Sequence, residues 1–390
     1  MLFESRHLKK KIFIIIFFKI CIIQIGNVFE RTKNEFYSSP KYNPTIISFD
    51  ELSNITIKPK SILLFEPFDY HHECSPGFTK YFIDLGYNVD LLFSSVGIDS
   101  FSLFKRFENI RFIIFNNWTQ IQNNCENFRE FIKNYDYVLV QTTKKENFEL
   151  NNKIGFFYLN NSIFILHRSD IFEKNIFINY YKKNRIWAIG NNSKGLFVNP
   201  HYFGDIKIKA KNNKTRFFLT STECRNYALL MKSLQKLKNE SFDFELIVTG
   251  RSKALNSDKI PNNLRENFIF KFNTPYNELY KAIESSDYII IPLDPKSRND
   301  QIYKKDIVSG SFQLVYGFLK PALVDEVFAA FQHLNNENSL IYNNNNFYNI
   351  MKKAILLKQY EYKNLQDNIR ILEKEIYAES INNIRKSINA

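Results

Sequence analysis

Three short stretches hold residue types that could do chemistry. In residues 303–326, YKKDIVSGSFQLVYGFLKPALVDE, Ser309, Gly310 and Ser311 stand directly ahead of the apolar run FQLVYGFL. A helix opening there would present unpaired backbone N–H groups and the positive end of its dipole, and Gly310 would let the backbone come close to a phosphate. With only 11 glycines in 390 residues, each is expected where the backbone needs it. The same pattern also fits a serine N-cap and, at Gly317, a glycine C-cap with no ligand. In the second stretch, EPFDYHHECSPG (66–77), His71, His72 and Glu73 are adjacent. Neighbouring histidines of an extended chain point opposite ways, so a two-histidine metal site is not expected. His72 or Glu73 could deprotonate a hydroxyl, and the alternative is hydrogen bonding or stacking within the loop. Third, His167 and Arg168 follow the run SIFIL and could contact a phosphate or an acceptor, or simply cap a strand end.

The elements that must position these residues alternate. SILLF, the loop with the two histidines, a helix FTKYFIDL stopped by Gly86, and the strand YNVDLLFS form a β-loop-α-β unit. RFIIF, an amphipathic stretch from Cys125 to Asn134, YDYVLVQ and SIFILH continue it. The pattern loosens over residues 190–215 and then restarts with TRFFLTS, RNYALLMKSLQKLKNE, FDFELIVTG, NFIFKF, NELYKAIESS and DYIIIPL. Strands alternating with helices argue for parallel α/β sheets, here two doubly wound, Rossmann-like domains facing a cleft, with ligands beyond the carboxyl ends of the strands. The expected division is an apolar N-terminal segment and linker (1–60), a first domain (61–205), a second domain (206–365) and a C-terminal helix (366–390) packing on the second domain. The turn-rich, aromatic run Asn199 to Gly204 suits a hinge or a cleft-lining loop.

Bulk properties narrow the function. The length favours two domains. The net charge of +13 comes from lysines and arginines spread along the chain, without a nucleic-acid-binding signature, so a basic surface that can rest on anionic lipid is preferred to nucleic-acid binding. The cysteines, Cys21, Cys74, Cys125 and Cys224, are too dispersed for a disulfide framework or a zinc knuckle, which suits a reducing cytoplasm. IFIIIFFKICIIQIG (12–26) follows LKKK but is short for a span and interrupted by Lys19. It reads as an interfacial anchor, a signal-anchor, or sequence upstream of the true start. No D-x-D, G-x-G-x-x-G, P-loop or G-x-S-x-G motif occurs; Asp243-Phe244-Glu245 comes nearest to the first but opens a strand.

The order of motifs in residues 215–360 resembles the C-terminal half of GT-B glycosyltransferases, particularly the family 4-like group. NELYKAIESSDYIIIPL is similar to its element ending in a strand and proline, FDFELIVTG to its glycine-ended strand, and the Ser-Gly-Ser helix followed by K-P-A-L-V and N-S-L-I-Y to its phosphate-facing loop and the strands behind it. The resemblance implies GT-B architecture and transfer of a sugar from a nucleotide-sugar donor, with no other cofactor and no metal, to a hydroxyl of a glycan or lipid-linked acceptor. Arg225 and Asn226, Gly250, and Ser309 to Ser311 would then hold the donor, while His72, Glu73 and His167 would be the catalytic candidates. The setting implied is polysaccharide or lipopolysaccharide synthesis at the inner face of a bacterial cytoplasmic membrane. The group's paired glutamates, E-x(7)-E, should fall near Lys304 and Phe312, and neither is acidic. Their absence keeps open an inactive GT-B-fold binding or scaffold subunit.

Overall fold

The computed structural model describes residues 45–389 apart from 69–70, 96–102, 105, 108–109, 144–151, 157–158, 168–183, 191–194, 221–225, 251–254, 256–259 and 305–307. The apolar segment 12–26, Arg168 and Arg225 lie outside the described residues. Among the described residues no helix is long and apolar enough to cross a membrane.

The chain folds as two parallel-sheet, Rossmann-like α/β domains. The first sheet contains β1 (Thr45–Ser48), β2 (Ser61–Glu66), β3 (Asn88–Ser94), β4 (Arg111–Phe115), β5 (Tyr137–Val140), β6 (Ser162–Leu166), β7 (Ile186–Ala188) and β8 (Leu196–Phe197) in the order β1-β4-β3-β2-β5-β6-β7-β8. The second contains β9 (Thr215–Thr220), β10 (Phe244–Gly250), β11 (Phe268–Phe272), β12 (Tyr288–Ile291), β13 (Ala322–Asp325) and β14 (Leu340–Tyr342) in the order β11-β10-β9-β12-β13-β14. Every neighbouring pair is parallel. The order reverses between β2 and β5 in one sheet and between β9 and β12 in the other, and a doubly wound sheet opens its ligand crevice at such points.

Parallel strands are covered on both faces, which is why the strand sequences are continuously apolar. Along β2, Ile62 and Leu64 enter the core on one side and Leu63 and Phe65 the core on the other. Phe217 and Leu219 are likewise separated from Phe218 across the second sheet. The principal helices over these faces are α1 (Ser75–Asp84), α2 (Cys125–Lys133), α3 (Tyr227–Asn239), α4 (Tyr276–Glu284), α5 (Gly310–Phe318), α6 (Phe347–Leu356) and α7 (Gln359–Ile388).

Three sequence expectations change. Residues up to Lys60 were expected as linker, yet Thr45–Ser48 pairs with β4 as an edge strand, too short to show a periodicity of its own. The C-terminal helix begins at Gln359 and packs on both domains: Tyr362 and Leu365, then Ile369, Leu372 and Ile376, enter the two second-domain cores, and Ile381 and Ile384 enter the first. Trp187 Nε1 donates to Ser387 Oγ at 3.0 Å, and Ser380 Oγ accepts from Asn199 N at 3.0 Å. Gly317 does not end its helix. α5 runs to Phe318 and closes on Leu319 in the left-handed region (φ 51), while a Cβ on Gly317 would come within 2.3 Å of His201 O and 2.2 Å of the Phe203 ring. That glycine admits the chain crossing between the domains.

Candidate active site at the interdomain cleft

The polar residues of the first domain gather where its sheet reverses order. β2 ends in Glu66, fully buried, whose carboxylate accepts from Phe68 N (3.0 Å) and Thr142 Oγ1 (2.8 Å) beyond β5. Gln141 takes Ser75 Oγ on its Oε1 at 2.7 Å, and its backbone oxygen accepts from His167 Nε2 at 2.9 Å. Since a carbonyl only accepts, that bond places a proton on Nε2 of His167. The chain then turns through His71 in the left-handed region (φ 70) into a short 3-10 helix, His72–Cys74, that leads into α1. The turn separates the two histidines. His72 is buried with its ring 4.9 Å from that of Phe93, and His71 is part-exposed and stacks on His167 at 4.1 Å between centroids.

Glu73 lies beside His71, with Oε1 3.6 Å from Nδ1. Burial opposes its ionisation, but the His71 ring, its own backbone N–H and His167 outweigh that and lower its pKa to about 2. A carboxylate held that far down is a poor acceptor for a hydroxyl proton and a good partner for an imidazole. His71, Glu73 and Cys74 also present potential metal-ligand atoms within 4.8 Å of one another. A tetrahedral zinc site, with bonds of about 2.0–2.3 Å, brings its ligand atoms roughly 3.5 Å apart. Burial, together with the charges of Glu73 and Glu66, raises the Cys74 thiol well above its ordinary value. The trio would have to close up and the thiol ionise before it could grip an ion.

The reversal point of the second domain lies between β9 and β12. Asn226 caps α3, its side chain accepting from Leu229 N at 3.1 Å, and its own N–H donates to Pro292 O at 2.7 Å, which ties the loop after β9 to the end of β12. Gly250 ends β10 at φ +124, a backbone conformation that favours glycine. Ser309 occupies the N-cap of α5 without a side-chain cap bond, Ser311 is buried, and a Cβ on exposed Gly310 would meet nothing within 4 Å. Open space therefore lies over the start of α5, where the first amides of a helix point at a bound anion. One residue past Phe312, Gln313 is 5% exposed with neither carboxamide atom hydrogen-bonded. Asp243 and Glu245 sit at the far, amino ends of the strands, paired with Lys214 and Arg216.

The two carboxyl edges meet. Tyr276, at the start of α4 beyond β11, donates from its hydroxyl to Glu73 Oε2 at 3.2 Å. Gly190, after β7, approaches Val308 so closely that a Cβ would lie 2.3 Å from its Cγ2. The Tyr280 hydroxyl is buried in the same seam without a hydrogen bond, and burial, with Tyr276, Glu73 and Cys74 around it, pushes it well up. The structure thus brings Glu73 and His167 together around His71 and places His72 in the core behind them. Ser309–Ser311 stands on the facing domain. Glu66, Gln141, Thr142 and Tyr276 were not singled out from sequence, and His71 was noted there without being assigned the proton transfer. The adjacent histidines were a signal, but choosing between them required the left-handed turn at His71.

The sequence matches no family model and no curated protein. Solved structures of similar fold include a glycosyltransferase from Rickettsia africae ESF-5, with a TM-score of 0.51 at 15% identity over 85% of this chain and 97% of that one. A point mutant of TarM from S. aureus, solved with fondaparinux, alpha-GlcNAc-glycerol and UDP, gives a TM-score of 0.55 at 9% identity over 85% of this chain and 100% of that one. The likeness is one of fold, and the fold is that of GT-B glycosyltransferases.

Proposed function

We infer that this protein is a glycosyltransferase that moves a sugar from a nucleotide-sugar to a hydroxyl of a glycan or lipid-linked acceptor. The observation that carries the reading is that the carboxyl edges of the two sheets meet: the His71–Glu73–His167 cluster, bonded to Tyr276 of the second domain, lies on one side, and the open amino end of α5, whose preceding Val308 meets Gly190 of the first domain, lies on the other. His71 removes the acceptor proton; Glu73 orients its ring and balances the charge it gains, as a carboxylate beside a catalytic imidazole does. Arg225, Asn226 and Gly250, with the amides and hydroxyls of Ser309, Gly310 and Ser311, hold the donor diphosphate and stabilise it as it leaves, without a metal. His167, donating to Gln141 O, supports His71 from behind by stacking. A cell-surface polysaccharide or lipopolysaccharide pathway at the cytoplasmic membrane is the setting we assign, from the basic surface and the apolar N-terminal segment. The TarM structure holds UDP, so UDP is the first nucleotide to try.

A second reading, an inactive binding subunit of the same fold, is favoured by one feature: Lys304 and Phe312 stand where the resembling group has acids. Thermal shift of the full chain with UDP, GDP, CMP and ADP separates the two. Ligand at roughly a hundred times its dissociation constant adds about 2.7 kcal/mol to apparent stability. The transferase reading expects a shift with one nucleotide, lost in Arg225→Ala, and slow hydrolysis of the matching nucleotide-sugar, lost in His71→Ala. A shift without hydrolysis selects the binding subunit, and no shift with any nucleotide sinks the donor site.

A further inference from the structure

Five large apolar side chains are conspicuously exposed among the described residues, and three of them, Ile208 (37%), Leu356 (60%) and Tyr360 (61%), belong to segments lying side by side. The linker between the domains reads IKIKAKNNK over residues 206–214. It is held against the junction of α6 and α7: Lys211 N donates to Gln359 Oε1 at 3.0 Å, and Lys211 Nζ to Ile355 O at 2.7 Å. Leu356 shares the outward stripe of α6 with Lys353, and Tyr360 opens α7 one turn before Lys363. Lys207, Lys209, Lys353, Lys358 and Lys363 are all exposed here. Two nearby acids are engaged. Glu361 turns back to accept from Lys358 N at 2.9 Å, and Asp367 is shared by Lys363 (2.6 Å) and Arg370 (3.6 Å).

Single exposed apolar residues need no explanation, but apolar tips inside a ring of ammonium groups have a specific complement. A second copy of this face would bring two sets of lysines together, which opposes self-association. We propose that Ile208, Leu356 and Tyr360, within their ring of lysines, seat this end of the second domain on an anionic lipid bilayer. The leucine and isoleucine enter the boundary between headgroups and acyl chains, the tyrosine ring lies at headgroup level, and the lysines meet lipid phosphates. The face lies at the amino end of β12, where Tyr288 OH donates to Ala354 O and Tyr362 OH to Asp287 O. The cleft is at the opposite end of that sheet, whose longest strand, seven residues, spans roughly 23 Å. A protein seated this way reaches an acceptor extending from the bilayer rather than one lying at its surface.

The inference rests on the reading that the protein works at a membrane, and the two can fail separately. The full chain carrying Tyr360→Trp is mixed with vesicles of phosphatidylcholine alone or with added phosphatidylglycerol, each also prepared with brominated acyl chains. Expected are quenching of the introduced indole only on the anionic vesicles and, for Lys209→Gln with Lys358→Gln, partition about 30-fold weaker, two lysines at about 1 kcal/mol each. Binding of the full chain with the indole unquenched overturns this face while leaving membrane attachment standing. No binding to either vesicle overturns both. A lipid-independent dimer dispersed by Leu356→Ser assigns the face to a second copy and overturns the lipid proposal.

Discussion

Replacing Lys320 with methionine should make the protein more stable, by an amount that shrinks as the pH rises. Lys320 follows the left-handed Leu319, is 2% exposed, and donates from Nζ to Glu284 O at 2.9 Å. Burial lowers its pKa from 10.5 to about 8, against the attraction of Asp287 and with further lowering from Lys209. The folded chain therefore releases this proton more readily than the unfolded one. Below pH 8 both states hold the proton and the folded state bears the whole cost, about 3 kcal/mol at pH 7; by pH 9.5 the cost has fallen to about 1 kcal/mol. Above pH 10.5 it disappears. Methionine fills nearly the same volume and loses one hydrogen bond worth about 1 kcal/mol, so Lys320→Met should gain about 2 kcal/mol at neutral pH and almost nothing at pH 9.5. Urea unfolding of both proteins at the two pH values measures this, and the difference between them cancels the tyrosine and cysteine titrations they share. A difference that does not change with pH, or a variant less stable at neutral pH, would refute the reasoning.

Three further outcomes follow from particular contacts. Gly310→Ala should leave folding unchanged or improve it by up to about 1 kcal/mol, since its Cβ meets nothing, while weakening the nucleotide-dependent thermal shift; an unchanged shift removes the ligand from the start of α5. Gly317→Ala should destabilise by about 1–3 kcal/mol in denaturant titration, because its Cβ would overlap the backbone of His201 as well as the Phe203 ring, and a neutral result would mean the interdomain crossing is looser than it stands. Glu73→Gln should lower kcat more than it raises KM, as His71 loses the carboxylate that holds its ring in place. Because the folded pKa of Glu73 is depressed, its stabilising contribution is complete above about pH 4.5 and is lost as the pH falls toward about 2. The stability gap between wild type and Glu73→Gln should close over that window, and acid titration of both by circular dichroism shows whether it does.

The alternation of apolar runs with helix signals was enough to specify two parallel α/β halves, because strands covered on both faces must be apolar throughout, as SILLF and DYIIIPL are. The same texture marked the loop with His71 and His72 and the Ser-Gly-Ser helix start as places where chemistry could sit, since doubly wound sheets put ligands beyond the carboxyl ends of their strands. What local sequence could not convey was anything that depends on partners far along the chain. Which histidine faces the cleft depends on the left-handed turn at His71, on a ring 96 residues later at His167, and on Phe93 receiving His72. The acidity of Glu73 depends on His71 and His167, and its hydrogen bond comes from Tyr276 in the other domain. Gly317 read as a helix stop because glycine commonly ends helices; its actual constraint, the passage of His201 and Phe203, exists only once the domains are packed. Composition and periodicity thus determined the layers, which follow from each segment's need to bury its own apolar face. The tertiary structure alone decided the site, because pKa values, orphaned polar groups and steric room are properties of residues brought together from distant positions.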